Sequence, residues 1–224
     1  MIRAVIFDMD GLMFDSEPVS VEAWIAAGKK MGVNITRDMV KAVFGSNRAD
    51  LSKYWRKHFG QDFDAERAAE LREAEMQKYA REHGIPMKRG LTALLKYLDR
   101  KNYRFTIASA SSKALIHINT AMAGIADYFE MTVSGDEVRH GKPAPDIYLK
   151  AAEKLGVAPE ECLVLEDSPA GIAAGAAAGM KTIMVPDMIA PTDKERETVE
   201  MIAESLEDVI PWLEKENGTA ALSV

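Results

Sequence analysis

Cysteine is nearly absent from this chain of 224 residues, where Cys162 stands alone. One thiol excludes an internal disulfide, and its place in the apolar run Cys162-Leu163-Val164-Leu165 reads as a buried, inert side chain rather than a nucleophile. Membrane-length apolar runs are missing as well. No stretch reaches the roughly 18–20 residues of a spanning helix, and the N-terminal apolar run meets charge too early for a secretory signal, so a cytoplasmic location is expected. There is no long basic block, and the net charge is −7. Nucleic acid and anionic membranes are therefore not expected as partners. His58, His83, His117 and His140 are scattered without metal-ligand spacing, so none is read as a ligand.

What is present is a core-forming composition, 47% hydrophobic, sufficient for one large domain or two small ones. The chain is organised around its first fifteen residues. Ala4 to Phe7 form a short, continuously apolar, β-rich run, the pattern of a strand buried on both faces of a parallel sheet. Asp8 and Asp10 follow it. If the strand persists through Asp10 the two carboxylates share a face, and if it breaks at Gly11 both sit in a turn at its carboxyl end. Open α/β sheets place their ligands there. Two close carboxylates repel, so the pair invites a cation or a shared proton.

Farther on, Ser16 is expected to cap a helix whose first turn holds Glu17 and Pro18 and which Gly32 stops. Helical stretches follow over 36–44, 49–59 and 64–82, with a turn at 45–47. Trp24, Tyr54 and Trp55 read as their core. From Leu91 onward helix and strand alternate, with strands expected at 103–108, 131–133, 162–165 and 182–185 and a last helix over 206–215. That rhythm predicts an α/β fold, a doubly wound parallel-sheet (Rossmann-like) core. The expected organisation is a core of residues 1–14 and 85–224 carrying an inserted α-helical cap domain over 15–84. The insertion enters beside the two aspartates and is placed to act as a lid. Residues 187–204 read as a loop or a short helix.

Three further signals fall at strand ends of the same core. Ser109 precedes Ala110, Ser111 and Ser112 at a helix start, where backbone N–H groups and a hydroxyl can cradle a phosphate. Since Ser111 or Ser112 can cap that helix, Ser109 is left for another task. Lys142 lies between Gly141 and the prolines 143 and 145, which stiffen its loop enough to aim it. Glu166 and Asp167 precede Ser168-Pro169, where Ser168 is the expected cap, so capping does not account for the acids. Paired carboxylates at a buried strand end are costly without a cation. Hard oxygen ligands without His or Cys point to Mg²⁺ rather than Zn²⁺.

Asp8-Met9-Asp10-Gly11 with Asp15, then Ser109, Lys142 and Glu166-Asp167, resembles the four ordered motifs of the haloacid dehalogenase superfamily. The runs Asp15-Ser16-Glu17-Pro18 and Gly141-Lys142-Pro143-Ala144-Pro145-Asp146-Ile147-Tyr148 look most like its β-phosphoglucomutase-like branch, which includes many sugar-phosphate phosphatases. The resemblance implies that Asp8 is a nucleophile forming an aspartyl phosphate, and that Asp10 is the acid and base for leaving alcohol and water. It implies Mg²⁺ held by Asp8, the Asp10 carbonyl and Asp167, with Glu166 binding directly or through water. Ser109, Lys142 and amides near Gly11 and Ala110 would hold the phosphate, and Arg48 would contact substrate from the cap. A carboxylate meeting a phosphate dianion at about 4 Å is repelled by roughly 8 kcal/mol at an effective dielectric near 20. Mg²⁺ and Lys142 would offset that repulsion.

The implied activity is a Mg²⁺-dependent phosphatase acting on a small phosphorylated metabolite, a sugar phosphate, in a monomer or weak oligomer. A dehalogenase fits less well, because that branch lacks the second aspartate. A mutase of the β-phosphoglucomutase type is the nearer alternative, but that subgroup carries a cap His and Lys where this chain has Ser20 and, by register, Glu75. A non-catalytic phosphate-binding or phospho-signalling module is the remaining alternative; receiver domains are about half this length and have no cap.

Overall fold

A four-residue apolar run with no polar face must be covered on both sides. Strand β1 (Ala4–Phe7) is buried at every residue and takes an interior place in a six-stranded sheet. The other strands are β2 (Arg104–Ser109), β3 (Thr132–Ser134), β4 (Cys162–Glu166), β5 (Lys181–Met184) and β6 (Met201–Ile202). Their order is β3-β2-β1-β4-β5-β6, and every neighbouring pair is parallel. The computed structural model describes residues 1–44 and 48–221, apart from the side chains of 48, 49 and 219–221.

The chain runs outward from β1 to β2 and β3 and then returns to the other side of β1 as β4. The order therefore reverses at β1, which leaves a crevice at the carboxyl ends of β1 and β4. Residues alternate between two apolar layers as the pleat requires. Val5, Phe7, Leu163 and Leu165 belong to one core cluster; Ala4, Ile6, Cys162 and Val164 belong to the other.

Between β1 and the rest of the sheet the chain forms α1 (Glu17–Lys30), α2 (Arg37–Lys41), α3 (Arg48–Phe59) and α4 (Ala65–His83). These helices have an apolar cluster of their own around Trp24 and the fully buried Trp55, whose ring centroids are 5.2 Å apart. Val19, Ala23, Met76 and Ala80, on α1 and α4, instead join the sheet-side core. The two crossings run side by side: the Asp15 amide donates to Pro86 O at 2.9 Å and the Lys88 amide to Met13 O at 2.8 Å.

The sheet is flanked on one side by α5 (Leu91–Arg100) and α6 (Lys113–Met122), and on the other by α7 (Asp146–Leu155) and α8 (Pro169–Ala177). After β5 come α9 (Asp193–Thr198), β6 and α10 (Val209–Ala221). Among the described residues no helix is long and apolar enough to cross a membrane.

Three expectations are corrected. Ser16 does not cap α1: it already has helical torsions, φ −90° and ψ −17°, and its hydroxyl makes no capping bond. The helix expected over 36–44 ends at Lys41 and continues as a turn. The stretch 187–204 contains β6 as well as a short helix. The turn expected at 45–47 lies outside the described residues.

Candidate active site

The ladder of β1 extends as far as Asp8, whose amide donates to Leu165 O at 3.0 Å. The chain then turns, with Met13 N donating to Met9 O at 2.9 Å. Both aspartates thus lie beyond the strand, in the turn at its carboxyl end. Gly11 has φ +81°, and a Cβ there would sit 2.4 Å from Asp167 Oδ2. Only glycine meets both conditions.

The two acids face different partners. Buried Asp8 accepts from Lys142 Nζ at 2.5 Å through Oδ1, and the same Nζ donates to Glu166 Oε1 at 2.5 Å. The Lys142 ammonium also stands 4.9 Å from the centre of the Tyr148 ring. Glu166 is fully buried and accepts at both oxygens. Tyr148 Oη donates to Oε1 at 2.7 Å; the amides of Asp167 and Ser168 and the Ser168 hydroxyl donate to Oε2 at 3.0, 3.0 and 2.9 Å. Ser168 also caps α8 by accepting from Gly171 N at 3.1 Å. One ligand oxygen from each of Asp8, Glu166 and Asp167 lies within 4.8 Å of the others, a donor set that fits a hard divalent cation.

Asp10 turns to the end of β2. Its Oδ2 accepts from Ser111 Oγ at 2.6 Å and Ser109 Oγ at 3.4 Å, and Ser109 Oγ in turn accepts from the Ser111 amide at 3.0 Å. Ser112 is the cap of α6, accepting from Leu115 N at 3.2 Å. Asp10 Oδ1 is buried and has no partner among the described residues. Ala110 lies exposed between the two serines.

Lys142 touches this carboxylate group through its ammonium. Burial opposes its charge, but Asp8 and Glu166 outweigh burial and hold its pKa well above the ordinary lysine value. Glu166 is buried too, yet Lys142 and its hydrogen bonds keep it below the carboxylate range. Glu166 thus matches the Lys142 charge. Asp8 is pushed up to about 8, chiefly by burial and then by Glu166 and Asp10 against the pull of Lys142. Asp167 rises well above its ordinary value by burial and then by Glu166 and Asp8. Without a further cation the group retains protons near neutrality, so it has room for a cation's charge.

On the inserted side, Glu17 is pushed up to about 7 by burial and by Asp10, with Arg72 opposing. Arg72, on α4, donates through Nη2 to Ser20 Oγ at 2.7 Å, while its Nε is buried and has no partner among the described residues. Glu75 turns to Lys30, 2.5 Å away. The Arg48 side chain lies outside the described residues. The structure thus gathers Asp8, Asp10, Gly11, Ser109, Lys142, Glu166 and Asp167 at one end of the sheet. Sequence reasoning gave Ser111 only a capping role and assigned no role to Tyr148, Arg72 or Asp187. Tyr148 stood in the same motif as Lys142, whereas nothing local distinguishes Arg72 from any charged helix residue.

Residues 2–179 match a hydrolase family described as haloacid dehalogenase-like hydrolase. Hexitol phosphatase A of Escherichia coli (strain K12) is 33% identical over 209 residues, covering 92% of this chain and 93% of that one. The fructose-1-phosphate phosphatase of the same organism is 31% identical over 191 residues, covering 81% and 95%. The β-phosphoglucomutase structure of Clostridium difficile covers 99% of this chain and 100% of that one, with a TM-score of 0.81 at 23% identity, a likeness of fold.

Proposed function

The chain belongs to the haloacid dehalogenase-like hydrolase family and is a phosphoric monoester hydrolase, and from that premise we propose that it is a Mg²⁺-dependent phosphatase working through an aspartyl phosphate. Its substrate is a small phosphorylated metabolite, a sugar phosphate, in the cytoplasm. Residues 15–84 act as the cap over a core of 1–14 and 85–224. The observation that carries this reading is the division of labour between the two aspartates: Asp8 lies against a buried lysine, and Asp10 presents a buried oxygen with no partner among the described residues.

Asp8 attacks the phosphorus as the bond to the leaving oxygen breaks, and Asp10 delivers its proton to that oxygen. Asp10 then takes a proton from water, which attacks the same phosphorus and releases inorganic phosphate and free Asp8. The serine hydroxyls on Asp10 Oδ2 hold its other oxygen toward the reacting groups. Lys142 faces the phosphoryl oxygens and, with backbone amides near Gly11 and Ala110 and the Ser109 hydroxyl, offsets their charge. Asp8, the Asp10 carbonyl and Asp167 would hold Mg²⁺, with Glu166 beside them. When bound, Mg²⁺ supplies two positive charges that keep Asp8 and Asp167 ionised and draw charge from the phosphate.

Hydrolysis is favoured over mutase chemistry because Ser20 stands where the mutase subgroup has histidine and is engaged by Arg72. The test is phosphate release from p-nitrophenyl phosphate and a panel of sugar and nucleoside monophosphates, with Mg²⁺ or EDTA. Metal-dependent release that Asp8→Asn abolishes is expected, and Lys142→Ala is expected to lose about 10²-fold or more in kcat. Release that survives in Asp8→Asn removes the nucleophile, and sugar isomerisation primed by a bisphosphate replaces hydrolysis with the mutase.

A further inference from the structure

Asp187 has no part in the mechanism above. It follows β5 on Val185-Pro186-Asp187, at the carboxyl end of the sheet, and its two oxygens have different surroundings. Oδ1 accepts from Lys88 Nζ at 2.7 Å. Lys88 lies on the crossing that returns from the inserted helices. Oδ2 is buried and, among the described residues, has no partner. Its place is marked by Gly11: the point where a Gly11 Cβ would sit is 2.4 Å from Asp167 Oδ2 and 3.4 Å from Asp187 Oδ2.

Two carboxylate oxygens from different loops therefore share the space that Gly11 leaves open, beside the Asp8, Glu166 and Asp167 group. A buried acceptor with no donor is unfavourable unless a bound species supplies one. Mg²⁺ dehydrates reluctantly and keeps several of its waters, each a donor polarised by the ion. Lys88 already neutralises one end of the carboxylate, so Oδ2 has to accept a hydrogen bond rather than a second full cation.

We propose that Asp187 is a positioning residue of the metal site, with Oδ2 accepting a hydrogen bond from a water on the Mg²⁺ held by Asp8 and Asp167, and Lys88 aiming the carboxylate. This rests on the Mg²⁺ reading above. It ties the returning crossing to the ion through one ion pair.

Calorimetric titration of the full chain with MgCl₂ tests it without turnover, using wild type, Asp187→Asn, Asp187→Ala and Lys88→Met. Removal of such outer partners weakens metal affinity 10–100-fold in other sites. A rise of about 10-fold or more in the Mg²⁺ dissociation constant is expected for both Asp187 variants, and a smaller rise for Lys88→Met. The metal-free melting temperature should stay near the wild-type value, which separates lost affinity from lost folding. Wild-type affinity in the folded Asp187 variants overturns the assignment; if KM for the sugar phosphate alone rises, Oδ2 binds a substrate hydroxyl instead. A wild-type chain that takes up no Mg²⁺ removes the metal itself, and with it this role for Asp187.

Discussion

Glu166 accepts five hydrogen bonds, from Lys142, Tyr148, the amides of Asp167 and Ser168, and the Ser168 hydroxyl. The space it occupies is secured by Gly171, where a Cβ would lie 1.7 Å from Glu166 Oε1. Gly171→Ala is therefore expected to displace the carboxylate and destabilise the chain by about 1–3 kcal/mol, measured by urea unfolding, with turnover falling alongside. A glycine within a helix that lies on a sheet is ordinarily explained by close packing of the two elements. That reason holds at Gly175, where a Cβ would meet Thr182 Cγ2 at 2.6 Å, whereas Gly171 serves the buried carboxylate. Asp8, Asp10, Lys142 and Glu166-Asp167 were legible because their chemistry conflicts with their local setting: charge at the end of an apolar strand, or in a loop stiffened by proline. Arg72 and Asp187 carry no such conflict. Their partners, Ser20 and Lys88, are 52 and 99 residues away in sequence, and only the tertiary fold selects them.

Ser112 links two levels of structure. It caps α6 by accepting from Leu115 N, and its hydroxyl donates to Glu73 Oε1 on α4 at 2.5 Å. Ser112→Ala should lower stability by about 1 kcal/mol from the cap alone, measured by denaturant titration, and Glu73→Ala should lower it less because the cap survives. Element types were legible wherever periodicity had room: the buried strands fall within a residue or two of their expected places, whereas the last helix, expected over 206–215, begins at Val209 and runs to Ala221. β6 was not, since two residues cannot display a period. Ser16 misled because residue preference at a helix start says nothing of backbone torsions. With φ −90° and ψ −17° it is already inside the helical path.

At the scale of the whole molecule, raised carboxylates set the response to pH. Asp8 at about 8 and Glu17 at about 7 bind protons in the folded chain that the unfolded chain releases at ordinary values of 3.8 and 4.5. Folded protein therefore holds more protons between about pH 4 and pH 8, and stability falls as pH rises through that window. The lowered acids Glu137 and Glu195 act in the opposite sense, losing their contribution only as pH falls below the ordinary carboxylate range. The metal-free chain is thus expected to melt higher at pH 6 than at pH 8 in a calorimetric scan. Saturating Mg²⁺ at pH 8 should reverse the loss, by about 2.7 kcal/mol at one hundred times its dissociation constant. Equal melting temperatures at the two pH values would contradict the buried, protonated acids.

The paired crossings carry one more consequence. Phe14 and Met87 form an antiparallel bridge, so the chain leaves the sheet and comes back to it at neighbouring points. A segment whose ends meet can be exchanged for another without rerouting the strands on either side. A graft that joins residues 16 and 84 through a foreign helical pair, with apolar residues kept where Val19, Ala23, Met76 and Ala80 join the sheet-side core, is expected to leave the sheet intact by circular dichroism while changing which phosphate esters are accepted, so the molecule's selectivity would be replaceable as a cassette.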